Sequence, residues 1–242
     1  MAKRLAGKVA IVTGAGRGIG RAISIALAQE AATIVLAARA SDKLQEAAER
    51  VTQAGGKAHI AVTELADEES IKGLVKYTEA EFGRLDVLVN NAGITHSARL
   101  EETATEDWEC LMWVNARAPF ILCREALPLL RRSAAAYIVN IASVVGVKGY
   151  PMQSAYTSSK HALRGMTISL SEELRDSNIR VHLLCPGGVD TDMVARVRPD
   201  IHKDELIKPE EIAELVSYLV THKGNAVVDE LHIRRATSAP WF

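Results

Sequence analysis

Short, β-branched apolar runs alternate with longer amphipathic stretches along the whole chain. The runs fall at Lys8–Thr13, Thr33–Ala38, Lys57–Val62, Leu85–Asn90, Ala136–Ala142, Ile179–Cys185 and Ala226–Ile233. Most are apolar throughout rather than at alternate positions, the pattern of strands covered on both faces. Helix-length stretches lie between them, near Gly18–Glu30, Asp42–Ala54, Asp67–Phe82, Thr105–Arg132, Ser154–Ser177 and Pro209–His222. Asp42 and Asp67 each put a short acceptor ahead of an apolar face, and Pro209 with Glu210 and Glu211 resembles a first helical turn with favourable dipole charge. Pro119 should kink or split the Thr105–Arg132 stretch, because it lacks an N–H and its ring crowds the preceding turn. Strand–helix alternation without a linker, repeat or low-complexity tract predicts one α/β domain over residues 1–242. The expected form is Rossmann-like and doubly wound, a seven-stranded parallel sheet joined by right-handed crossovers with helices on both faces.

Charge and composition narrow the function classes. Twenty-nine basic residues nearly cancel thirty acidic ones, so no basic field exists for nucleic acid or for anionic lipid. The longest uncharged stretch, Ser133 to Val147, carries polar residues and is too short to span a bilayer. Glycines break the apolar start before a signal-type segment develops. Cys110, Cys123 and Cys185 form no CxxC pair, which fits a reducing, cytoplasmic setting and packing roles. The histidines show no HExxH or HxH spacing, so a metal site is not expected.

The first apolar run leads straight into Thr13-Gly14-Ala15-Gly16-Arg17-Gly18-Ile19-Gly20. Glycines after a strand let the backbone approach a pyrophosphate, and the helix that follows aims unpaired N–H groups at it. Ile19 stands where a third glycine of GxGxxG would fall, so the spacing is Gly14-x3-Gly18-x-Gly20. Alone, such a turn also suits any tight connection. The second run ends Ala37-Ala38-Arg39 without the acidic residue that would hold a ribose 2′-hydroxyl. Arg39 and Arg17 instead offer two guanidinium groups for a 2′-phosphate, although surface arginines are common. The cofactor expected is therefore NADP(H) in preference to NAD(H).

Tyr156 and Lys160 are four apart near a helix start and share one face. An ammonium about 5 Å from the phenol, at an effective dielectric near 20, would stabilise phenolate by about two pK units. A phenol so tuned exchanges protons with a substrate oxygen. A core tyrosine beside a snorkelling lysine would carry the same letters. Ser143 follows the fifth run, at a carboxyl end where open α/β sheets bind ligands. Asn90-Asn91-Ala92-Gly93 ends the fourth run and suits a cofactor cleft or a plain turn. Asn115 is a poor helix-interior residue, which points to a polar task or a solvated position.

Taken in order and separation, these motifs, with Pro186-Gly187, resemble the short-chain dehydrogenase/reductases over essentially the whole chain, closest in look to 3-oxoacyl-(acyl-carrier-protein) reductase-like members. The resemblance implies a catalytic set of Asn115, Ser143, Tyr156 and Lys160. Tyr156 would be the general acid/base, and Ser143 would orient the carbonyl. Lys160 would bind the nicotinamide ribose and lower the tyrosine pKa, and Asn115 would help hold a water linking Lys160 to solvent. Pro186, Gly187, Val189 and Thr191 would border the nicotinamide, while Gly14, Gly16, Gly18, Ile19, Gly20, Asn91, Ala92 and Gly93 would line the rest of the cofactor cleft. Arg17 and Arg39 match positions associated with NADP preference. A homodimer or homotetramer is implied as well.

Three departures stand out. Thr63-Glu64-Leu65 replaces the usual aspartate near the adenine, which moves that contact to Glu64 and Leu65 or loses it. Trp113 occupies a place where many relatives carry a smaller polar residue. The last run lacks the usual glycine pair and continues to Trp241-Phe242, which would dock on a neighbouring subunit or fray. Segment 191–208 should cover substrate as a short segment whose Arg196, Arg198 and Lys203 suit either an acidic substrate or acyl-carrier surface or, more simply, a solvated loop.

The leading expectation is an NADP(H)-dependent oxidoreductase that interconverts a small ketone or 3-oxoacyl thioester and a secondary alcohol. A catalytically silent nucleotide-binding sensor and an NAD(H)-dependent alcohol dehydrogenase of the same fold are the alternatives. A sugar-nucleotide epimerase would need more chain after Thr191 than is present.

Overall fold

The computed structural model describes residues 3–240; the Trp241-Phe242 pair lies outside them. Seven strands, β1 (Val9–Thr13), β2 (Thr33–Ala38), β3 (Lys57–Val62), β4 (Val87–Asn90), β5 (Ala136–Ile141), β6 (Ile179–Pro186) and β7 (Glu230–Ile233), form one sheet in the order β3-β2-β1-β4-β5-β6-β7. All its pairs are parallel. Strand order reverses between β1 and β4, so their carboxyl ends diverge and leave a crevice.

The helices are α1 (Gly18–Gln29), α2 (Ser41–Gln53), α3 (Glu68–Phe82), α4 (Thr105–Met112), α5 (Ala118–Leu130), α6 (Ser154–Glu173), α7 (Asp192–Val197) and α8 (Pro209–Thr221). Alternate strand residues feed two cores on opposite faces of the sheet. Ala10, Val12, Ile34 and Leu36 pack with Ile23, Leu27, Leu44 and Val216 of α1, α2 and α8. Val9, Ile11, Val35 and Leu88 pack with Ile71, Leu122 and Leu170 of α3, α5 and α6. Coverage on both faces is why the strands are apolar at every position.

Local signals behave unevenly. Asp67 caps α3 as expected, accepting from Glu69 N–H at 3.0 Å, and Glu211 accepts from Lys208 N–H at 2.7 Å at the start of α8. Asp42, expected as a cap, lies inside the first turn of α2, whose flanking Ala40 provides no side-chain cap. The expected break at Pro119 takes a different form. Pro119 sits in the first turn of α5, and the disturbance is a π-turn at Trp113–Arg117 just before it, where Ala118 N–H bonds to Trp113 O. Pro119 has no N–H to return to the Asn115 carbonyl four residues back, so the wider turn absorbs the mismatch.

The seventh strand is shorter than the Ala226–Ile233 run. His182 Nδ1 takes the Val228 carbonyl at 2.7 Å, and Arg180 takes those of His222 and Gly224. Backbone pairing begins only at Asp229, whose carbonyl accepts from Leu183 N–H at 2.8 Å. The expected loop after β6 is also corrected. It contains α7 and a 3₁₀ turn at Lys203–Glu205, and Ile207 pairs in parallel with Val189. No helix among the described residues is long and apolar enough to cross a membrane.

Candidate active site

The carboxyl ends of β1, β4, β5 and β6 open into a cleft of about 1590 Å³, larger than the 300–1,000 Å³ usual for a drug-sized ligand and of a size for a dinucleotide with a second molecule. Gly14, Gly16, Arg17, Gly18, Ile19, Arg39, Glu64, Leu65, Asn91, Ala92, Gly93, Ser143, Tyr156, Lys160, Pro186, Gly187, Val189 and Thr191 all line it. Two expected site residues do not. Gly20 lies behind the turn, where an added Cβ would come within 2.4 Å of the Gly14 carbonyl oxygen. Asn115 is fully buried beneath the floor.

At one end of the cleft, the glycine turn hands β1 to α1. Gly14 has φ +65°, which disfavours any side chain. The first N–H groups of α1 receive no side-chain cap, and its first turn holds no acidic residue. Uncapped donors and a positive dipole end at a glycine-lined mouth suit a pyrophosphate. Thr13 locks the turn to the neighbouring strand: its hydroxyl donates to Val89 O and accepts from the N–H groups of Asn91 and Ala92, each at 3.0 Å. Asn91 Nδ2 donates back to Thr13 O at 2.8 Å.

Both arginines expected at the 2′-position reach the cleft, and each meets a carboxylate. Arg17 Nη1 donates to Asp192 Oδ2 at 2.8 Å. Arg39 Nη1 lies 3.7 Å from Glu64 Oε2, beyond hydrogen-bonding reach. All four side chains are largely exposed, so these pairs are weak and exchangeable. Sequence reasoning missed Asp192 and also Lys43, whose Cβ packs under Gly16. Neither belongs to a motif; only the fold brings them to the mouth.

At the other end, β5 delivers Ser143 and the start of α6 delivers Tyr156 and Lys160. Ser143 and Tyr156 both line the cleft, and the Ser143 hydroxyl accepts from Val145 N–H at 3.4 Å. Lys160 is 3% exposed, donates from Nζ to Ile141 O at 3.0 Å, and holds Nζ 6.0 Å from the Tyr156 ring centroid. The expected acidification of the phenol by about two pK units is not met here. Burial pushes the half-buried Tyr156 up to about 12, with Ser143 pulling the other way. Burial also lowers Lys160 to about 8, opposed by nearby Cys185. Desolvation wins because the amine turns one of its donors to a main-chain carbonyl and makes no direct bond to the phenol.

The Asn115 side chain is spent within the protein. It accepts from Ile94 N–H, donates to Ile94 O, both at 2.9 Å, and donates to Ser159 Oγ at 3.0 Å. It clips the loop after β4 to α6, and the tight ceiling above it is Gly93, where a Cβ would lie 3.1 Å from Asn115 Oδ1 and 3.3 Å from Lys160 Nζ. Cys123 and Cys185 are buried as expected, whereas Cys110 is exposed and lines the cleft. Cys185, Glu230 and His232 bring ligand-type atoms within 4.8 Å of one another. Glu230, however, is already gripped by Arg164 through Nε and Nη2 at 2.8 and 2.9 Å.

A doubly wound sheet with an uncapped glycine-turn helix at its switch point is the architecture of dinucleotide-binding proteins. The chain belongs to the short-chain dehydrogenase family, whose pattern it matches over residues 8–202. It is 34% identical over 236 residues to the 3-oxoacyl-(acyl-carrier-protein) reductase of Thermotoga maritima, covering 94% of this chain and 96% of that protein. Among solved structures it resembles an alcohol dehydrogenase from the archaeon Thermococcus sibiricus complexed with 5-hydroxy-NADP, at TM-score 0.89 and 32% identity, covering 97% and 99% of the two chains. A metagenomic short-chain oxidoreductase in complex with NADP gives TM-score 0.85 at 35% identity over 96% and 99%.

Proposed function

We propose that this oxidoreductase uses NADP(H) to interconvert a carbonyl compound and the matching secondary alcohol. The observation that carries the reading is the meeting of Ser143, Tyr156 and Lys160 at the carboxyl ends of the strands, in the same cleft as the uncapped start of α1. When bound, the nicotinamide supplies or accepts a hydride at the substrate carbon. The glycine turn and α1 would hold the pyrophosphate, Arg17 and Arg39 the 2′-phosphate, and Lys160 the nicotinamide ribose. Ser143 would orient the carbonyl by hydrogen bonding.

Tyr156 is the proton donor in this reading. A phenol held near 12 is protonated at pH 7 and can hand its proton to an incoming carbonyl oxygen. Lys160, at about 8, carries its charge at neutral pH and loses it just above. The positive charge favours the phenolate left after proton donation, so reductase activity should fall as pH rises through about 8. One feature opposes the silent-sensor reading: a pure binder has no need of a lysine kept beside a cleft tyrosine at the cost of burying its charge.

The test is oxidation of NADPH and NADH with a panel of ketones, diketones, aldehydes and 3-oxoacyl thioesters. Turnover should prefer NADPH, and Tyr156→Phe should lower kcat by about a thousandfold, the scale of one general acid. Undiminished turnover in Tyr156→Phe would overturn the assignment, and NADPH binding without turnover on any substrate would favour the sensor.

A further inference from the structure

We propose that the substrate end of the cleft is shaped for an uncharged, apolar ketone or alcohol, with Met152 as the side chain that sets this preference. The inference rests on the carbonyl–alcohol reading above and narrows its substrate class. Met152 stands at φ +62°, a backbone region that a residue with a Cβ seldom occupies and that glycine enters freely. It shares a turn with Pro151, and its carbonyl is fastened by Ala98 N–H at 3.0 Å. The result is a methionine side chain, 50% exposed, held on the rim of the cleft. An unfavourable conformation kept for an apolar, solvent-facing side chain at a ligand mouth points to use of that side chain.

The surroundings match. Tyr150, 38% exposed, flanks Met152 on the same rim, and Met193, Val197 and Ile201 face the cleft from α7 and the segment after it. The cations at this end are committed elsewhere. Arg198 closes its fork on Asp200 at 2.8 and 2.7 Å, and Arg235 bonds Glu205 at 3.0 Å. Arg234 gives Nη1 to the carbonyls of Arg235, Ala236 and Ser238, while Lys148 lies over the Tyr150 ring. A carboxylate- or phosphate-bearing substrate would meet this apolar cluster, the Asp190 carboxylate and guanidinium groups that already hold partners.

With NADPH and straight-chain 2-ketones from 2-butanone to 2-octanone, kcat/KM should climb about two- to fourfold per added methylene. Methyl 3-oxooctanoate should be preferred over 3-oxooctanoate by roughly tenfold or more, since the acid carries an unpaired charge against apolar walls. Met152→Gly supplies the residue that suits the left-handed position, so the variant should melt no lower than the parent. It should flatten the chain-length slope, acting more on KM than on kcat. Binding supplies a readout independent of turnover: 2-octanol, which cannot react with NADPH, should bind the NADPH-loaded protein more tightly than 3-hydroxyoctanoate. Preference for the carboxylates, or a slope that Met152→Gly leaves intact, would overturn the inference. Selective binding of 2-octanol by a protein that reduces nothing would retire the proposed activity and keep this one; ketone reduction with the carboxylates favoured would do the reverse.

Discussion

The two ends of the same sheet treat buried charge in opposite ways. At the amino end, Asp86 is 1% exposed, and every element around it turns a donor toward its carboxylate. Lys8 reaches it at 2.9 Å, Arg84 at 2.9 and 2.7 Å, Ser133 at 2.6 Å and Val9 N–H at 2.9 Å. Burial alone would raise its pKa, yet these partners outweigh that push and hold it at about 2. At the carboxyl end, Lys160 is almost as buried, and its recorded hydrogen bond goes to a main-chain carbonyl, so burial prevails and its charge is disfavoured. One end satisfies its charge and gains stability. The other keeps an under-compensated charge, the condition of a group held for chemistry.

The largest expected effect comes from the satisfied end. Asp86→Ala should cost about 2–4 kcal/mol in chemical denaturation, because it leaves the buried Val9 N–H and Ser133 hydroxyl without their partner and removes the ion pairs to Lys8 and Arg84. Activity per folded molecule should stay as it was, since Asp86 lies at the far end of the strands from the cleft. A loss under about 1 kcal/mol would mean that the network is ornamental. Lys160→Met should act in the other direction on stability while abolishing activity. A lysine lowered from 10.5 to about 8 in the fold is protonated in both states below pH 8, so the folded state bears the full desolvation cost there. Removing it should stabilise the protein by up to about 3 kcal/mol at pH 7. The gain should shrink between pH 8 and about 10.5, as the parent sheds its proton on folding.

Sequence made the scaffold legible because both cores depend on patterns that survive in one dimension: unbroken apolar strands, periodic helices and a glycine turn whose neighbours are adjacent in the chain. The Ser143–Tyr156–Lys160 grouping was legible for a similar reason, since two of its members share a helix face and the third ends the central strand β5. What stayed hidden depends on contacts across the fold. The amino-end network joins Lys8, Asp86 and Ser133 from three separate strand starts. The side-chain bonds of Asn115 to Ile94 and Ser159 join residues far apart in the chain. The pairing of Arg17 with Asp192 spans most of the chain. The upward shift of Tyr156 could not be read from the spacing, which gives proximity, while desolvation depends on what else fills the pocket.

The acid limb of stability should sharpen the contrast. The folded pKa of Asp86 lies below its ordinary 3.8, so its contribution is fully present above pH 4 and is lost as pH falls through about 2. The shift corresponds to about 2 kcal/mol. Asp86→Asn should therefore be less stable than the parent at pH 6, and the two should converge as the pH is lowered toward 2. A constant gap over that window would show that packing, and not ionisation, carries the effect.

The smallest effects belong to the exposed pairs at the cofactor mouth, which differ from those at Asp86 in being exchangeable. Arg39→Ser should weaken NADP⁺ binding by about tenfold while leaving NAD⁺ binding nearly unchanged, since charge-assisted bonds to the 2′-phosphate are lost and nothing else is. Glu64→Gln should do the opposite on a smaller scale. It removes the carboxylate beside Arg39 and with it the like charge facing an incoming phosphate, so NADP⁺ should bind about two- to threefold more tightly, as expected for an exposed pair. Both changes should fade as salt rises, because screening acts on exposed charge first. Binding titrations of the two nucleotides at low and high salt measure all of this. If Arg39→Ser weakened NAD⁺ and NADP⁺ equally, Arg39 would be supporting the turn rather than reading the phosphate.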